Sequence, residues 1–214
     1  MKKIGLLVAM DCEAVKVIEA LPELDNVKLL TVTSGMGKVN ASMAATEMII
    51  LEKPDCILSL GCAGAMEGSP MRQGDIIAAR RVAFHDVWCG EELGAGIMQG
   101  QPQYFEADDA LLAAALKIEG GVTDGLLVSG DQFYVGPSEE HRILSIYPDA
   151  LAADMESGAI AQVCRHYGTP FLSFRVISDV HTSAEVQKDT YNNFWDKDLS
   201  HYVKLVVSLL ESIS

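Results

Sequence analysis

Short runs of apolar, largely β-branched residues recur along the chain and predict six strands. Several of these runs are apolar on both faces, which is typical of strands buried between two layers. The predicted strands cover residues 4–9, 27–33, 56–60, 75–82, 126–129 and 171–177.

Longer segments with apolar residues three or four positions apart lie between the strands and predict helices. These cover residues 13–21, 39–51, 108–117, 139–145, 157–166 and 191–210. Helices alternating with two-faced strands favour an α/β fold, in which helices cover both sides of a mostly parallel sheet. No repeat, low-complexity tract or linker divides the chain, so we expect one domain over residues 1–214.

Composition and charge narrow the classes of function. The chain is 49% apolar and 21% charged, which is typical of a folded globular protein and excludes disorder, collagen and coiled coil. Thirty acidic residues against sixteen basic ones give a net charge of −14. A surface of that sign repels phosphate backbones and anionic lipids, so we expect neither a nucleic-acid nor a membrane partner.

The remaining composition signals favour a cytoplasmic protein without a metal. No apolar stretch approaches the roughly 18 residues that span a bilayer, and the first residues predict a buried strand, not a signal peptide. Five scattered cysteines without zinc spacing predict free thiols in a reducing compartment. The five histidines show no metal spacing either, and we interpret the adjacent His85 and Asp86 as part of a surface loop.

In parallel α/β sheets, ligands bind beyond the carboxyl ends of the strands. Polar residues and glycines are concentrated just after the predicted strands, at residues 10–13, 34–38, 61–64, 130–134 and 178–180. The glycines of two of these segments permit tight turns and close approach to a ligand. They match neither a dinucleotide-binding fingerprint nor a phosphate-binding loop, so we expect no cofactor.

Charged side chains in apolar surroundings are further candidates. Glu13 and Asp179 have an ordinary explanation as helix or turn caps. Glu156 precedes a helix of small residues that packs close to the sheet, so it is either a helix N-terminal acid or a buried acid satisfied by sugar hydroxyls. Arg175 lies inside an apolar strand, where a guanidinium needs a buried carboxylate partner in a structural or catalytic ion pair.

These candidates form an ordered series along nearly the whole chain. The series consists of Ile4-Gly5 to Met10 with Glu13, Ser34-Gly-Met-Gly-Lys38-Val39, Gly61-Cys-Ala-Gly64, Gly74-Asp75-Ile76, His85-Asp86, Val128-Ser-Gly-Asp131, Met155-Glu156 and Arg175-Val-Ile-Ser-Asp179. It resembles the methylthioadenosine/adenosylhomocysteine nucleosidases of the purine nucleoside phosphorylase superfamily. The resemblance implies a three-layer α/β sandwich around a partly closed, mixed and mostly parallel sheet, assembled as a homodimer.

The resemblance also implies hydrolysis of the N-glycosidic bond of 5′-methylthioadenosine and S-adenosylhomocysteine. By position, Asp179 protonates N7 of the adenine with support from Ser178. Phe133 stacks on the base, and the backbone of Tyr134 meets its edge. A carboxylic acid must reach the base, because adenine leaves poorly as an anion.

Other matched positions serve the sugar and the attacking water. Met155 and Glu156 hold the ribose, and Glu156 lies against the oxocarbenium charge that develops there. Glu13, oriented by Arg175, lies near the water that attacks the anomeric carbon.

Two parts of the chain depart from the family pattern. Cys62, which with Met36 completes the expected substrate-binding set, stands where the family usually has a serine, a stronger hydrogen-bonding group. The segment between the first helix and residue 27 is short, and residues 181–190, which should close over the 5′ substituent, match poorly.

Three other functions stay open from the sequence. A futalosine-type substrate with a carboxylated 5′ group would need a cationic pocket, for which only Lys188 lies near the variable loop. A purine nucleoside phosphorylase would need several arginines, but residues 11–30 contain none and Glu13 would repel the phosphate. A nucleoside-binding protein without catalysis would be consistent with Cys62 and the altered closing segment.

Overall fold

A computed structural model describes residues 1–133, 136–180, 190–191 and 193–214. Its elements are β1 (Lys2–Val8), α1 (Asp11–Lys16), a 3₁₀ turn (Ile18–Ala20), β2 (Val27–Thr33), α2 (Lys38–Glu52), β3 (Cys56–Ala65), β4 (Ile76–Phe84), β5 (Phe105–Glu106), α3 (Asp109–Leu116), β6 (Val122–Ser129), α4 (Pro137–Ile146), β7 (Ala150–Asp154), α5 (Ser157–Tyr167), β8 (Phe171–Val180) and α6 (Ser200–Ser212). In this part of the chain, no helix is long and apolar enough to cross a bilayer.

The strands form one mixed sheet that closes partly on itself. Parallel pairs join β1 to β2 and β3, β3 to β8, and β6 to β4 and β7. Antiparallel pairs join β4 to β8 and β5, and β3 to β7. Since the last two residues of β3, Gly64 and Ala65, pair with β7, the strands β3, β8, β4, β6 and β7 form a ring.

Helices cover both faces of the sheet and make three layers. Leu7 and Ile57 face one layer, where they pack with apolar residues of α2 and α5. Their neighbours Leu6 and Leu58 face the other layer, where they pack with α3 and α6. This alternation follows from the period of two along a strand, and it explains why the strands are apolar on both faces. The expected three-layer α/β fold with a mixed, mostly parallel sheet is confirmed.

Two predicted helices differ from the structure. The predicted helix over residues 191–210 is interrupted, and α6 begins only at Ser200. The carboxylate of Asp198 accepts hydrogen bonds from the N–H and the hydroxyl of Ser200, the first residue of α6. The predicted helix over residues 13–21 ends at Lys16 and continues as the 3₁₀ turn.

The sequence pattern also missed or shortened several strands. β7 has the sequence Ala-Leu-Ala-Ala-Asp, which lacks β-branched residues and resembles a helical segment. β5 has two residues, too few for a period to be visible. β3 extends beyond the predicted residue 60 to Ala65, through the glycines that suggested a turn.

Candidate active site

A cavity lies at the carboxyl ends of the parallel strands. It encloses about 650 Å³ when the solvent at its mouth is included. Eight of the ten predicted site residues line it, namely Glu13, Met36, Cys62, Phe133, Met155, Glu156, Ser178 and Asp179. Arg175 is buried behind the wall, and Tyr134 lies outside the described residues.

Glu13 projects into the cavity from the first turn of α1. Its Oε2 accepts hydrogen bonds from the backbone N–H groups of Ala9 at 2.7 Å and Met10 at 3.0 Å. Its Oε1 accepts one from the N–H of Cys62 at 3.1 Å. The capping explanation therefore accounts for Oε2, while Oε1 reaches across to β3. Three donors satisfy this buried carboxylate and fix its orientation.

The backbone next to Glu13 must come close to two charged groups. A Cβ at Gly61 would overlap the carboxylate of Glu13 and lie 2.8 Å from Nη1 of Arg175. Gly61 also has a φ of +128°, which disfavours other residues. This glycine lets β3 pass between the two groups.

Arg175 forms a buried ion pair that differs from the expected one. Its Nη2 lies 2.9 Å from Oδ2 of Asp154 and 3.7 Å from Oε2 of Glu156. Glu13, the partner that the family pattern implied, is held by backbone N–H groups instead. Burial acts to lower the pKa of Arg175, but the carboxylates of Asp154 and Glu156 raise it above the usual value. The guanidinium therefore stays charged behind the cavity wall.

Glu156 is the N-cap residue of α5 and receives a hydrogen bond from across the cavity. The N–H of Gly37, in the loop after β2, donates to Oε1 at 2.9 Å. The pKa of Glu156 is raised to about 7, mainly by burial and also by the charge of Asp154, while Arg175 and the hydrogen bond from Gly37 act to lower it. Near neutral pH this group therefore exists in both protonation states.

Asp179 and Ser178 lie buried at the end of β8. The hydroxyl of Ser178 donates a hydrogen bond to Oδ1 of Asp179 at 2.5 Å, which fixes the carboxyl group relative to the strand. Phe133 contributes an exposed ring to the wall and contacts the ring of Tyr191 edge-on, with the centroids 4.8 Å apart.

Sequence reasoning missed several lining residues. Tyr191 contacts Sδ of Met10 through its hydroxyl at 3.1 Å, but the sequence assigned it only to a helix. His85 was interpreted as part of a surface loop, which is wrong, since it is buried and lines the cavity. Its apolar neighbours in β4, Val82 to Phe84, were the available signal. Burial lowers the pKa of His85 despite the adjacent Asp86, which favours the neutral ring.

The cavity wall is acidic and apolar. Among its described residues, none is a lysine or an arginine. Across the described part of the chain, no three His, Cys, Asp or Glu side chains come together as a possible metal site. Burial raises the pKa of the Cys62 thiol well above its usual value, so this lining group is a protonated thiol.

Comparison with known proteins supplies an independent line of evidence. The model of the Phosphorylase superfamily matches residues 3–211. The 5′-methylthioadenosine/S-adenosylhomocysteine nucleosidase of Geobacillus kaustophilus (strain HTA426) is 34% identical over 193 residues, which cover 87% of this chain and 81% of that protein.

Solved structures are similar over the full length. A 5′-methylthioadenosine/S-adenosylhomocysteine nucleosidase from Neisseria meningitidis, in complex with methylthio-immucillin-A, has a TM-score of 0.89 at 27% identity, covering 99% of this chain and 100% of that one. An S-adenosylhomocysteine nucleosidase from Streptococcus pyogenes, in complex with 5-methylthiotubericidin, has a TM-score of 0.87 at 27% identity, covering 100% of this chain and 98% of that one.

Proposed function

The chain belongs to the 5′-methylthioadenosine/S-adenosylhomocysteine nucleosidases of the phosphorylase superfamily, and we propose that it hydrolyses the N-glycosidic bond of both nucleosides and releases adenine. This membership confirms the family resemblance of the sequence. The observation that carries the proposal is that three buried carboxylates, those of Glu13, Glu156 and Asp179, line one cavity.

Asp179 serves the leaving group. When the bond between C1′ and N9 breaks, its electron pair goes to the purine, and a proton from Asp179 to N7 lets adenine leave as a neutral molecule. The hydrogen bond from Ser178 supports this role, because it holds the carboxyl group in one orientation. Phe133 presents an exposed ring on which the base can stack.

Glu156 and Glu13 serve the sugar and the water. The ionised form of Glu156 can accept hydrogen bonds from the ribose hydroxyls and stabilise the oxocarbenium charge. Met155 contributes an apolar contact beside it. The fixed carboxylate of Glu13 polarises a water whose oxygen bonds to C1′, and it receives the proton which that water loses.

Water is a better nucleophile for this site than phosphate. A phosphorolytic site needs cationic side chains around the anion, and none of the described lining residues is a lysine or an arginine. Arg175 is already paired with Asp154 and Glu156. Lys188, the residue that a carboxylated 5′ group would need, lies outside the described residues.

The direct test is a panel of nucleosides incubated with purified protein, with and without phosphate. We expect free adenine from methylthioadenosine and adenosylhomocysteine in phosphate-free buffer. Turnover that requires phosphate would assign phosphorolysis, and turnover of futalosine alone would change the substrate. Tight binding of the nucleosides without any product would identify a binding protein.

Assembly as a homodimer is part of the proposal and is supported by the outer surface of α2. Val39, Met43 and Ile50 are 69%, 59% and 52% exposed, and their spacing places them along one side of the helix. An apolar stripe of this kind is typical of an interface. Met36, two residues before α2, lines the cavity, so a partner on this stripe would lie beside the site.

The proposed enzyme is a single domain and acts in the cytoplasm. All five cysteines are free thiols, as expected for a protein of a reducing compartment.

A further inference from the structure

Three charged side chains that do not line the cavity connect the loops whose neighbouring residues do. Nζ of Lys38, at the start of α2, lies 2.7 Å from Oδ2 of Asp86, which follows β4. The backbone N–H of Lys38 donates to Oδ1 of Asp131, which follows β6, at 2.7 Å. The N–H of Asp131 in turn donates to Oδ2 of Asp86 at 2.9 Å. Three strand ends are thus joined in a closed set of contacts.

Within this set, the pair of Lys38 and Asp86 is more shielded than an ordinary surface pair, whereas the side chain of Asp131 is 46% exposed. The side chains of Lys38 and Asp86 are 25% and 15% exposed, and Nζ of Lys38 lies 5.5 Å from the ring centroid of the buried Phe84. Burial acts to raise the pKa of Asp86, but the hydrogen bonds from Lys38 and from the Asp131 N–H lower it. Reduced access to solvent makes such a pair stronger than an exposed one.

The residues next to these contacts form the cavity. Gly37 precedes Lys38 and donates its N–H to Glu156 at 2.9 Å. A Cβ at Gly37 would lie 2.9 Å from Oδ1 of Asp131, so the two loops are in close contact. Gln132 and Phe133 follow Asp131 and line the cavity. The contacts therefore link the wall that holds the sugar to the wall that holds the base.

We propose that Lys38, Asp86 and Asp131 are positioning residues of the hydrolytic reaction. They hold the N–H of Gly37 against Glu156, so that this carboxylate faces the ribose in its ionised form. The inference rests on the proposed function and extends it to residues that do not themselves touch the substrate.

The test is Lys38→Met, which removes the ammonium group and keeps most of the apolar stem. The matched control is Lys28→Met, which breaks the surface ion pair between Lys28 and Glu52. The charged atoms of this pair are 3.6 Å apart, and the two side chains are 48% and 47% exposed. Adenine release by the unaltered protein is measured first. If that protein is inactive, the proposed function is wrong; if it is active, the variants test the positioning role alone.

We expect Lys38→Met to lower kcat/KM by about tenfold, which lies within the range of interaction energies between residues that contact one another. The control should keep the kcat/KM of the unaltered protein. The same change combined with Glu156→Gln should cost little more than Glu156→Gln alone, because Lys38 acts through that carboxylate. Additive losses in the double variant would overturn the inference, as would an unchanged rate in Lys38→Met.

The pH profile separates positioning from a merely structural role. Arg175, Asp154, Glu13 and the N–H of Gly37 act on the protonation of Glu156, and of these Lys38→Met changes only the contact from Gly37. Loss of that donor shifts the acid limb of kcat to higher pH, whereas a smaller folded fraction lowers kcat without moving the limb. Asp86→Asn, which removes the charge that pairs with Lys38, must shift the acid limb of kcat in the same direction. Lys38 lowers and Asp86 raises the pKa of the cavity-lining His85, so the two variants would move a limb set by His85 in opposite directions. If either variant folds and its acid limb does not move, the inference is refuted.

Discussion

Each of the three carboxylates in the cavity has a different set of partners, which is consistent with the different role proposed for each. Backbone N–H groups hold Glu13, a hydroxyl holds Asp179, and one N–H together with a shared guanidinium faces Glu156. Side chains of the same chemical type can thus serve as base, acid and electrostatic stabiliser in one site.

Replacing the proposed acid or the proposed base should abolish most of the activity. We expect Asp179→Asn and Glu13→Gln each to lower turnover by at least roughly a hundredfold, the usual contribution of a proton-transfer group. Circular dichroism should show an unchanged fold. A rate near that of the unaltered protein in either variant would remove that residue from the mechanism.

The raised pKa of Glu156 should also appear in the stability of the protein. The folded state binds this proton more tightly than the unfolded chain, so the free energy of unfolding falls as pH rises from 4.5 to about 7. The fall is on the order of 3 kcal/mol, at about 1.36 kcal/mol per pH unit.

Glu156→Gln has no titrating group at this position and should lack that fall. Urea unfolding of both proteins at pH 5 and pH 8 measures the difference. The same pH dependence in the two proteins would contradict the assignment.

At the scale of elements, α5 can approach the sheet because Gly158 lies in its first turn. The N–H of Gly158 donates to Oγ of Ser129 at 3.0 Å. A Cβ at Gly158 would lie 2.5 Å from Cε1 of Phe84. This close contact places the N-terminus of α5, and therefore Glu156, at the cavity.

Gly158→Ala should destabilise the protein, although alanine is the better helix former by about 1 kcal/mol. We expect a net loss of about 1–3 kcal/mol in the free energy of unfolding, the usual cost of overpacking. The loss should be visible as a lower Tm in thermal unfolding. A more stable variant would show that α5 can move away from the sheet at no cost.

The elements of this fold were predictable where their periodicity is strong. The apolar runs identified β1, β2 and β8, and the helical spacing identified α2 and α5, because burial on a fixed face dictates these patterns. β7 was not predictable from its alanines, since only its position between β3 and β6 makes it a strand.

The candidate site was predictable from the family resemblance more than from single residues. When each is considered alone, Glu13 and Asp179 are better explained as caps than as functional residues. The apolar residues before His85 indicated that it is buried but not that it lines a cavity, and Tyr191 lacked any local signal that separates a cavity wall from a helix. The partner of Arg175 was also not predictable, because it depends on how side chains from three elements meet in space.

At the scale of the whole molecule, the proposed homodimer depends on the apolar stripe of α2. Met43→Glu places a charge in the middle of this stripe, and burying an unpaired charge in an interface is costly. We expect the variant to run as a monomer in sedimentation experiments. Val15→Glu, an equivalent change at a site on α1 that is 54% exposed, is the control. A dimer that survives Met43→Glu would place the interface elsewhere.

The pairing of β3 with β7 joins opposite halves of the chain at the cavity wall, where Gly64 and Ala153 meet. Neither half alone contains a finished binding pocket. A newly synthesised or partly refolded molecule can therefore have most of its helices and still lack activity. Recovery of activity then shows that the last long-range contacts have formed.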